Sequence, residues 1–274
     1  MTGPVWMDGR MMAADDATVS VFDHGLTVGD GVFETLKALD GRPFAIRRHL
    51  ERLRRSAEGL GLRLPYEDAD LRSAIADVVA SHALPAARVR VTVTGGPAPL
   101  GSERGDGPAT VVIAAGPLKA AESTTAACVV PWPRNERGAM AGIKTTSYAE
   151  NVRALSHARA RGCTEAIFAT TTDRLSEGTG SNVFVMVDDR LVTPPLSSGC
   201  LAGVTRELVL EVTDAIEADV PMVAFMAAGE VFLTSTSRDV QPVTRLDDRP
   251  LAVGEHTRQA AAALAALQAA TDDP

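Results

Sequence analysis

The chain has 274 residues, enough to bury a sizeable core and to form an enzyme subunit of one or two domains. A hydrophobic fraction of 45% and a charged fraction of 23% are ordinary for a globular protein, and a net charge of -8 argues against a general nucleic-acid role. Three widely spaced cysteines, Cys128, Cys163 and Cys200, indicate neither a disulfide framework nor a zinc site. The histidines are scattered without an HExxH pattern, so no metal is expected. Residues 1–10 lack a basic-then-apolar signal pattern, and no run of about 18 apolar residues appears. The expectation is a cytoplasmic enzyme that uses neither membrane nor nucleic acid.

Residues 5–7 and 10–13 flank Asp8-Gly9 and predict a short hairpin. Residues 19–22 predict another extended piece. Gly29-Asp30-Gly31 leads into a strand over 32–39, which turns at Asp40-Gly41 and pairs back through 43–46. Leu50, Leu53, Ala57 and Leu60 have helical spacing over 48–60, and residues 71–80 form a second helix. The arginines at 47, 48, 52, 54 and 55 read mostly as the solvated face of the first helix. Residues 87–94 alternate as a strand with Arg88, Arg90, Thr92 and Thr94 on one face, and 111–115 form another. Residues 95–108 hold five glycines and three prolines and predict a loop. Further strands are expected at 128–131, 165–169, 182–187, 190–193 and 230–234, and helices at 147–161, 205–215 and 254–270. The mixture predicts an α+β fold in two parts: a small N-terminal α/β domain over 1–116, a linker over 117–125 and a large C-terminal domain over 126–274.

Several residues carry chemistry when taken together. A lone lysine is only a surface charge. Yet Lys144 has uncharged neighbours, Gly142, Ile143, Thr145 and Thr146, a setting that permits the neutral amine a Schiff base needs. Glu177 opens Glu177-Gly178-Thr179-Gly180-Ser181-Asn182-Val183-Phe184; alone it is a turn acid, but a carboxylate can also hold a pyridine nitrogen in its protonated form. Gly203-Val204-Thr205 precedes a helix, where free N–H groups attract a dianion or simply cap the helix. Ser235 and Thr236 add hydroxyls at a strand end. Tyr148 follows Lys144 by one helical turn if the helix has begun there, and reads equally as a core aromatic. Arg52 offers a guanidinium fork or a helix surface. Amine, carboxylate and phosphate cradle are the three handles of pyridoxal 5'-phosphate (PLP).

In this order the motifs resemble the class IV aminotransferases, the PLP enzymes of fold type IV. The resemblance rests on Gly29-Asp30-Gly31-Val32-Phe33-Glu34, His49-Leu50-Glu51-Arg52-Leu53, Lys144, the run from Glu177 to Phe184, Thr193-Pro194-Pro195, Leu201-Ala202-Gly203-Val204-Thr205-Arg206 and Glu230-Val231-Phe232-Leu233-Thr234-Ser235-Thr236. It implies a larger C-terminal domain that is β-barrel-like with helices, and a homodimer with sites near the subunit interface. It also implies that Lys144 is the Schiff-base lysine and proton carrier and Glu177 the pyridine-nitrogen partner. Arg52, Val204, Thr205 and Thr236 match phosphate-binding positions, with Ser235 beside them. Leu201 matches the residue under the cofactor ring. Tyr148 resembles a tyrosine that branched-chain members place one residue further on.

The subfamily signals are mixed. Thr35 after Glu34 looks like the aminodeoxychorismate lyases. Ser181-Asn182-Val183-Phe184 and Thr234-Ser235-Thr236 look like the D-amino acid transaminases, which usually carry arginine where this chain has Gly95. Arg90 is the expected replacement as carboxylate receptor, with Arg88 on its face and Phe33 as a further substrate residue. The expected activity is transfer of an amino group between an amino acid, D-amino acids favoured, and a 2-keto acid. The alternatives are a lyase releasing 4-aminobenzoate and pyruvate, a branched-chain L-amino acid or (R)-amine transaminase, and a non-catalytic PLP-binding relative.

Overall fold

Alternation of apolar residues builds the first sheet. The computed structural model of the chain describes residues 3–274; residues 1 and 2 of the expected small domain lie outside the described residues. Strands β1 (Val5–Met7) and β2 (Arg10–Met12) turn through Asp8 and Gly9, both at positive φ. A one-turn helix α1 (His24–Thr27) is capped by the Asp23 side chain, which accepts from the Gly25 N–H. Strands β3 (Gly31–Leu39) and β4 (Arg42–Pro43) precede helices α2 (Ile46–Gly59) and α3 (Asp68–His82), and strands β5 (Ala86–Thr94) and β6 (Thr110–Pro117) follow. The sheet order is β2-β1-β6-β5-β3-β4, with every neighbouring pair antiparallel.

The two faces of β3 have different tasks. Val32, Leu36 and Ala38 join Val89, Val91 and Val93 of β5 in one apolar core with Leu50, Leu53 and Ala57 of α2 and Leu71, Ile75 and Val78 of α3. A capping box between Glu67 and Asp70 starts α3. The first compact unit comprises residues 3–119, 143–148 and 271–274.

The second unit comprises residues 120–142 and 149–270. In chain order it contains β7 (Thr125–Val129), α4 (Ala149–Arg159), β8 (Glu165–Ala169), β9 (Leu175–Gly178), β10 (Asn182–Val187), β11 (Arg190–Thr193), α5 (Val204–Val212), β12 (Ile216–Glu217), α6 (Met222–Ala227), β13 (Val231–Ser235), β14 (Asp239–Leu246), β15 (Arg249–Pro250) and α7 (Glu255–Ala270). The nine-stranded sheet runs β12-β11-β10-β13-β14-β7-β8-β9, with β15 paired to β14. Strand β9 lies at one end of that order, yet the Gly178 N–H donates to the Ser181 carbonyl beside the start of β10, at 2.8 Å. The sheet must curl to allow this. Val183, Val185, Phe225, Leu233 and Val243 fill its core. Helices and two curled sheets match the α+β, fold type IV expectation.

Four local expectations need correction. Residues 19–22 form no strand and instead run into a turn before α1. Strands β9 and β14 were not anticipated, because β9 is only four residues long and β14 mixes Asp239, Gln241 and Arg245 with its apolar positions. The helix expected from 147 begins at Ala149, because 143–148 is extended and bonded to β3. For the same reason 143–148 clusters with the first unit, whereas the contiguous division at 117–125 assigns it to the second.

Leu53 is fully buried in the first core. Leu53→Ala is expected to cost about 2–5 kcal/mol, measured as a lowered unfolding midpoint; a loss under about 0.5 kcal/mol would contradict this packing.

Candidate active site

Lys144 is positioned by its backbone. Its carbonyl accepts from the Phe33 N–H at 2.9 Å, and its own N–H donates to Ser56 Oγ on α2 at 3.3 Å. The Thr145 hydroxyl and the Thr146 N–H donate to the Gly31 carbonyl, and the Thr146 and Ser147 hydroxyls donate to the Gly29 carbonyl. This close approach explains the glycines in Gly29-Asp30-Gly31. Gly29 has a φ of +70°, and a Cβ on Gly31 would lie 2.8 Å from both Thr146 Oγ1 and the Val93 carbonyl.

Phe33 is the meeting point of three other expected site residues. Lys144 Nζ lies 4.6 Å from its ring centroid and the Arg90 guanidinium carbon 3.7 Å. The Tyr148 ring meets it edge-on at 5.4 Å. Tyr148 therefore reaches the lysine's neighbourhood through Phe33, not through a helical turn. Arg90 Nε donates to Thr92 Oγ1 at 3.2 Å. Burial lowers the Arg90 pKa, with nearby Tyr148 opposing. Arg88 stands opposite Lys37, two residues before Arg90 on β5 and away from the Arg90–Thr35 and Thr92–Phe33 pairs.

On the other face of β3, Glu34 is fully buried and accepts from Arg52 through two bonds, Nε to Oε1 at 2.7 Å and Nη2 to Oε2 at 2.8 Å. His49 Nδ1 lies 2.7 Å from Oε2. An ionised carboxylate only accepts, so His49 carries its proton on Nδ1. Burial alone would push the Glu34 carboxyl up; Arg52 and His49 outweigh it and hold the group well below the usual carboxylate range. Burial also pushes the His49 pKa down against the pull of Glu34, and Arg52 and Lys144 add to the lowering. The sequence alone assigns no task to Glu34 or His49. The available signal was an acid at an inward position of an apolar strand, with His49 and Arg52 one turn apart on α2.

In the second unit Glu177 stands on β9, not in a turn. Its Oε2 accepts the Leu201 N–H at 3.0 Å, and the Leu201 carbonyl accepts from Asn182 Nδ2 at 2.8 Å. The turn after Glu177 is organised by a residue the sequence did not suggest. Buried Glu165 accepts from the N–H groups of Ala166 and Thr179, each at 3.0 Å, from the Ser181 hydroxyl at 2.9 Å and from the Thr179 hydroxyl. Cys200 stays a thiol, its pKa pushed up to about 11 by burial and then by the Glu177 charge.

Gly203 is the N-cap of α5, and a Cβ there would lie 2.0 Å from Asn182 Oδ1. Only glycine permits this approach. Val204 and Thr205 are the first helical residues, so their N–H groups lack partners within the helix. Ser235 ends β13 and Thr236 follows it. The donor chemistry fits the cofactor in each unit: an amine on an aromatic face in one, a carboxylate and a helix N-terminus with hydroxyl residues in the other.

The amino-transferase class IV family model matches residues 31–246. A putative branched-chain-amino-acid aminotransferase of Methanocaldococcus jannaschii is 31% identical over 93% of this chain and 93% of its own. A D-alanine aminotransferase of Staphylococcus epidermidis is 30% identical over 93% of this chain and 94% of its own. Among solved structures, the branched-chain aminotransferase of Thermoproteus uzoniensis with norvaline has a TM-score of 0.92 at 31% identity, covering 97% of this chain and 94% of that one. A T.th. branched-chain amino acid aminotransferase with pyridoxamine 5'-phosphate has a TM-score of 0.90 at 26% identity, covering 97% of this chain and 93% of that one.

The buried cluster predicts acid sensitivity. His49 has a folded pKa below its ordinary 6.5, so the unfolded chain binds a proton first and stability falls as pH drops below that value. Glu34, also depressed, contributes fully above its ordinary 4.5 and loses that contribution on further acidification. His49→Asn should flatten the fall in thermal midpoint between about pH 7 and about pH 5. An unchanged slope would remove His49 as its cause.

Proposed function

The chain belongs to the class IV aminotransferases and is PLP-dependent, and on that premise we propose that its amino donor is an α-amino acid whose carboxylate Arg90 receives. Bound PLP supplies an aldehyde carbon that takes up the amino group and a ring that withdraws electrons from the substrate α-carbon. Lys144 then carries the α-proton on Nζ, held over Phe33 by the backbone bonds of 144–147. Glu177 keeps the ring-nitrogen proton in place from an oxygen fixed by Leu201 N–H. The Val204 and Thr205 N–H groups, with Ser235 and Thr236, would hold the phosphate, and Arg52, oriented by Glu34 and His49, would be the first unit's phosphate-binding residue. Leu201 would contact the ring of bound PLP, and Tyr148 would offer its hydroxyl to the phenolic oxygen.

The observation that carries the carboxylate reading is the shared ring. Lys144 Nζ and the Arg90 guanidinium both lie on Phe33, so the proton carrier and a cationic receptor for a donor's carboxylate stand within one residue's reach. This supports amino acids over amines that lack a carboxylate. A D-amino acid donor is supported by the Ser181-Asn182-Val183-Phe184 and Thr234-Ser235-Thr236 motifs and by the likeness to a D-alanine aminotransferase. The likeness in fold to the Thermoproteus uzoniensis branched-chain enzyme favours, as a second reading, branched-chain L-amino acids. The same family reading carries a homodimer.

A half-reaction screen separates these readings. The yellow enzyme is mixed separately with D-alanine, D-glutamate, L-leucine, (R)-1-phenylethylamine and aminodeoxychorismate, and the 2-keto product is assayed with the visible absorbance. Keto acid from D-alanine is expected; keto acid from L-leucine alone selects the second reading. Release of 4-aminobenzoate and pyruvate without response to any amino acid overturns both. Arg90→Met should lower kcat/KM for amino acids on the order of 100-fold. Lys144→Ala should abolish turnover; wild-type turnover would remove Lys144 as proton carrier.

A further inference from the structure

Arg134 is a half-buried cation that the reaction described above does not use. Its backbone N–H donates to the Ala169 carbonyl at 2.7 Å, fixing it beside the end of β8. Its guanidinium lies over the Phe168 ring at 4.2 Å. Nη2 donates to Asn151 Oδ1 at 2.9 Å, and Nη1 stands 3.3 Å from Glu150. Nε is different: it is buried, has no hydrogen-bond partner among the described residues, and faces Glu177 Oε1 at 3.8 Å. A buried donor left unbonded is rare, because its lost hydration is not replaced. Here it aims positive charge at the one Glu177 oxygen that Leu201 does not engage. A second route leads to the same residue. Asn151, held by Arg134, donates from Nδ2 to the Thr179 carbonyl at 2.6 Å, two residues beyond Glu177.

We propose that Arg134 is a positioning residue for Glu177. Its charge keeps that carboxylate ionised, and its bond to Asn151 fixes the backbone after β9, so that Glu177 presents an anion to the ring nitrogen of PLP. The inference rests on the reading of Glu177 given above. Glu150 is the exposed partner of the guanidinium and contributes little, since its charge is screened by solvent.

A double-mutant cycle tests this in the intact enzyme. Arg134→Gln, Glu177→Gln and the pair are compared for kcat, for PLP retention on dialysis and for the pH dependence of the visible spectrum. Arg134→Gln should lower kcat and PLP retention about 10-fold each and shift the spectral titration, and should add less than about 2-fold once Glu177 is Gln. Arg134→Lys, which keeps the charge, should recover part of the spectrum and retention. Effects that multiply in full with those of Glu177→Gln, or a spectrum and retention untouched by Arg134→Gln, would mean a merely structural arginine and overturn the proposal. Arg134→Lys carries the same cycle if the glutamine variant does not fold: non-additivity supports the proposal and full additivity overturns it. A Glu177→Gln enzyme with wild-type kcat, retention and spectrum would instead sink the underlying reading of Glu177.

Discussion

The bond from the Phe33 N–H to the Lys144 carbonyl is the constraint on which the first unit's part of the candidate site depends. It converts 143–148 from a connection into a short extended segment against the opening of β3. Three hydroxyls and one N–H from Thr145, Thr146 and Ser147 reinforce it on the carbonyls of Gly29 and Gly31. A lysine has four rotatable bonds, so holding its backbone is the cheapest way to limit where its amine can go. The glycines matter because any side chain at 29 or 31 would keep the two segments apart.

The strand that receives Lys144 divides polar labour between its faces. Phe33 offers its ring to both Lys144 and Arg90. One residue later, Glu34 points the other way and holds Arg52 and His49. The period of two in a β-strand is enough to explain why adjacent residues serve separate partners. The second unit shows a related division between two carboxylates. Glu165 is saturated by N–H and hydroxyl donors of the turn after β9, so it shapes backbone. Glu177 accepts the Leu201 N–H at one oxygen and faces the Arg134 guanidinium at the other.

Much of this was legible before any coordinates. The strands 32–39 and 87–94 and the helix over 48–60 follow from strong periodicity, and their observed bounds differ by a residue or two. The family was legible from motif order, since each motif alone has a bland reading. The short strand β9 and the polar-rich β14 were not legible, because pairing with neighbours, not local pattern, makes them strands. Tyr148 was tied to Lys144 by an assumed helix, and the extended backbone replaced that link with contact to Phe33.

By itself the sequence determined which residue types were present to do chemistry: one lysine among uncharged neighbours, a glutamate before a glycine-rich turn, a glycine-led helix start and a pair of arginines on one strand face. Only the tertiary structure decided their company. Arg90, not Arg88, shares Phe33 with Lys144, Glu34 and His49 hold Arg52, and Glu165 gathers the donors of the turn after β9. Glu34 and His49 are 15 residues apart along the chain, and Arg134 and Glu177 are 43 apart. A sequence pattern reports only near neighbours, whereas a hydrogen bond or ion pair depends on distances of a few ångströms that folding alone sets.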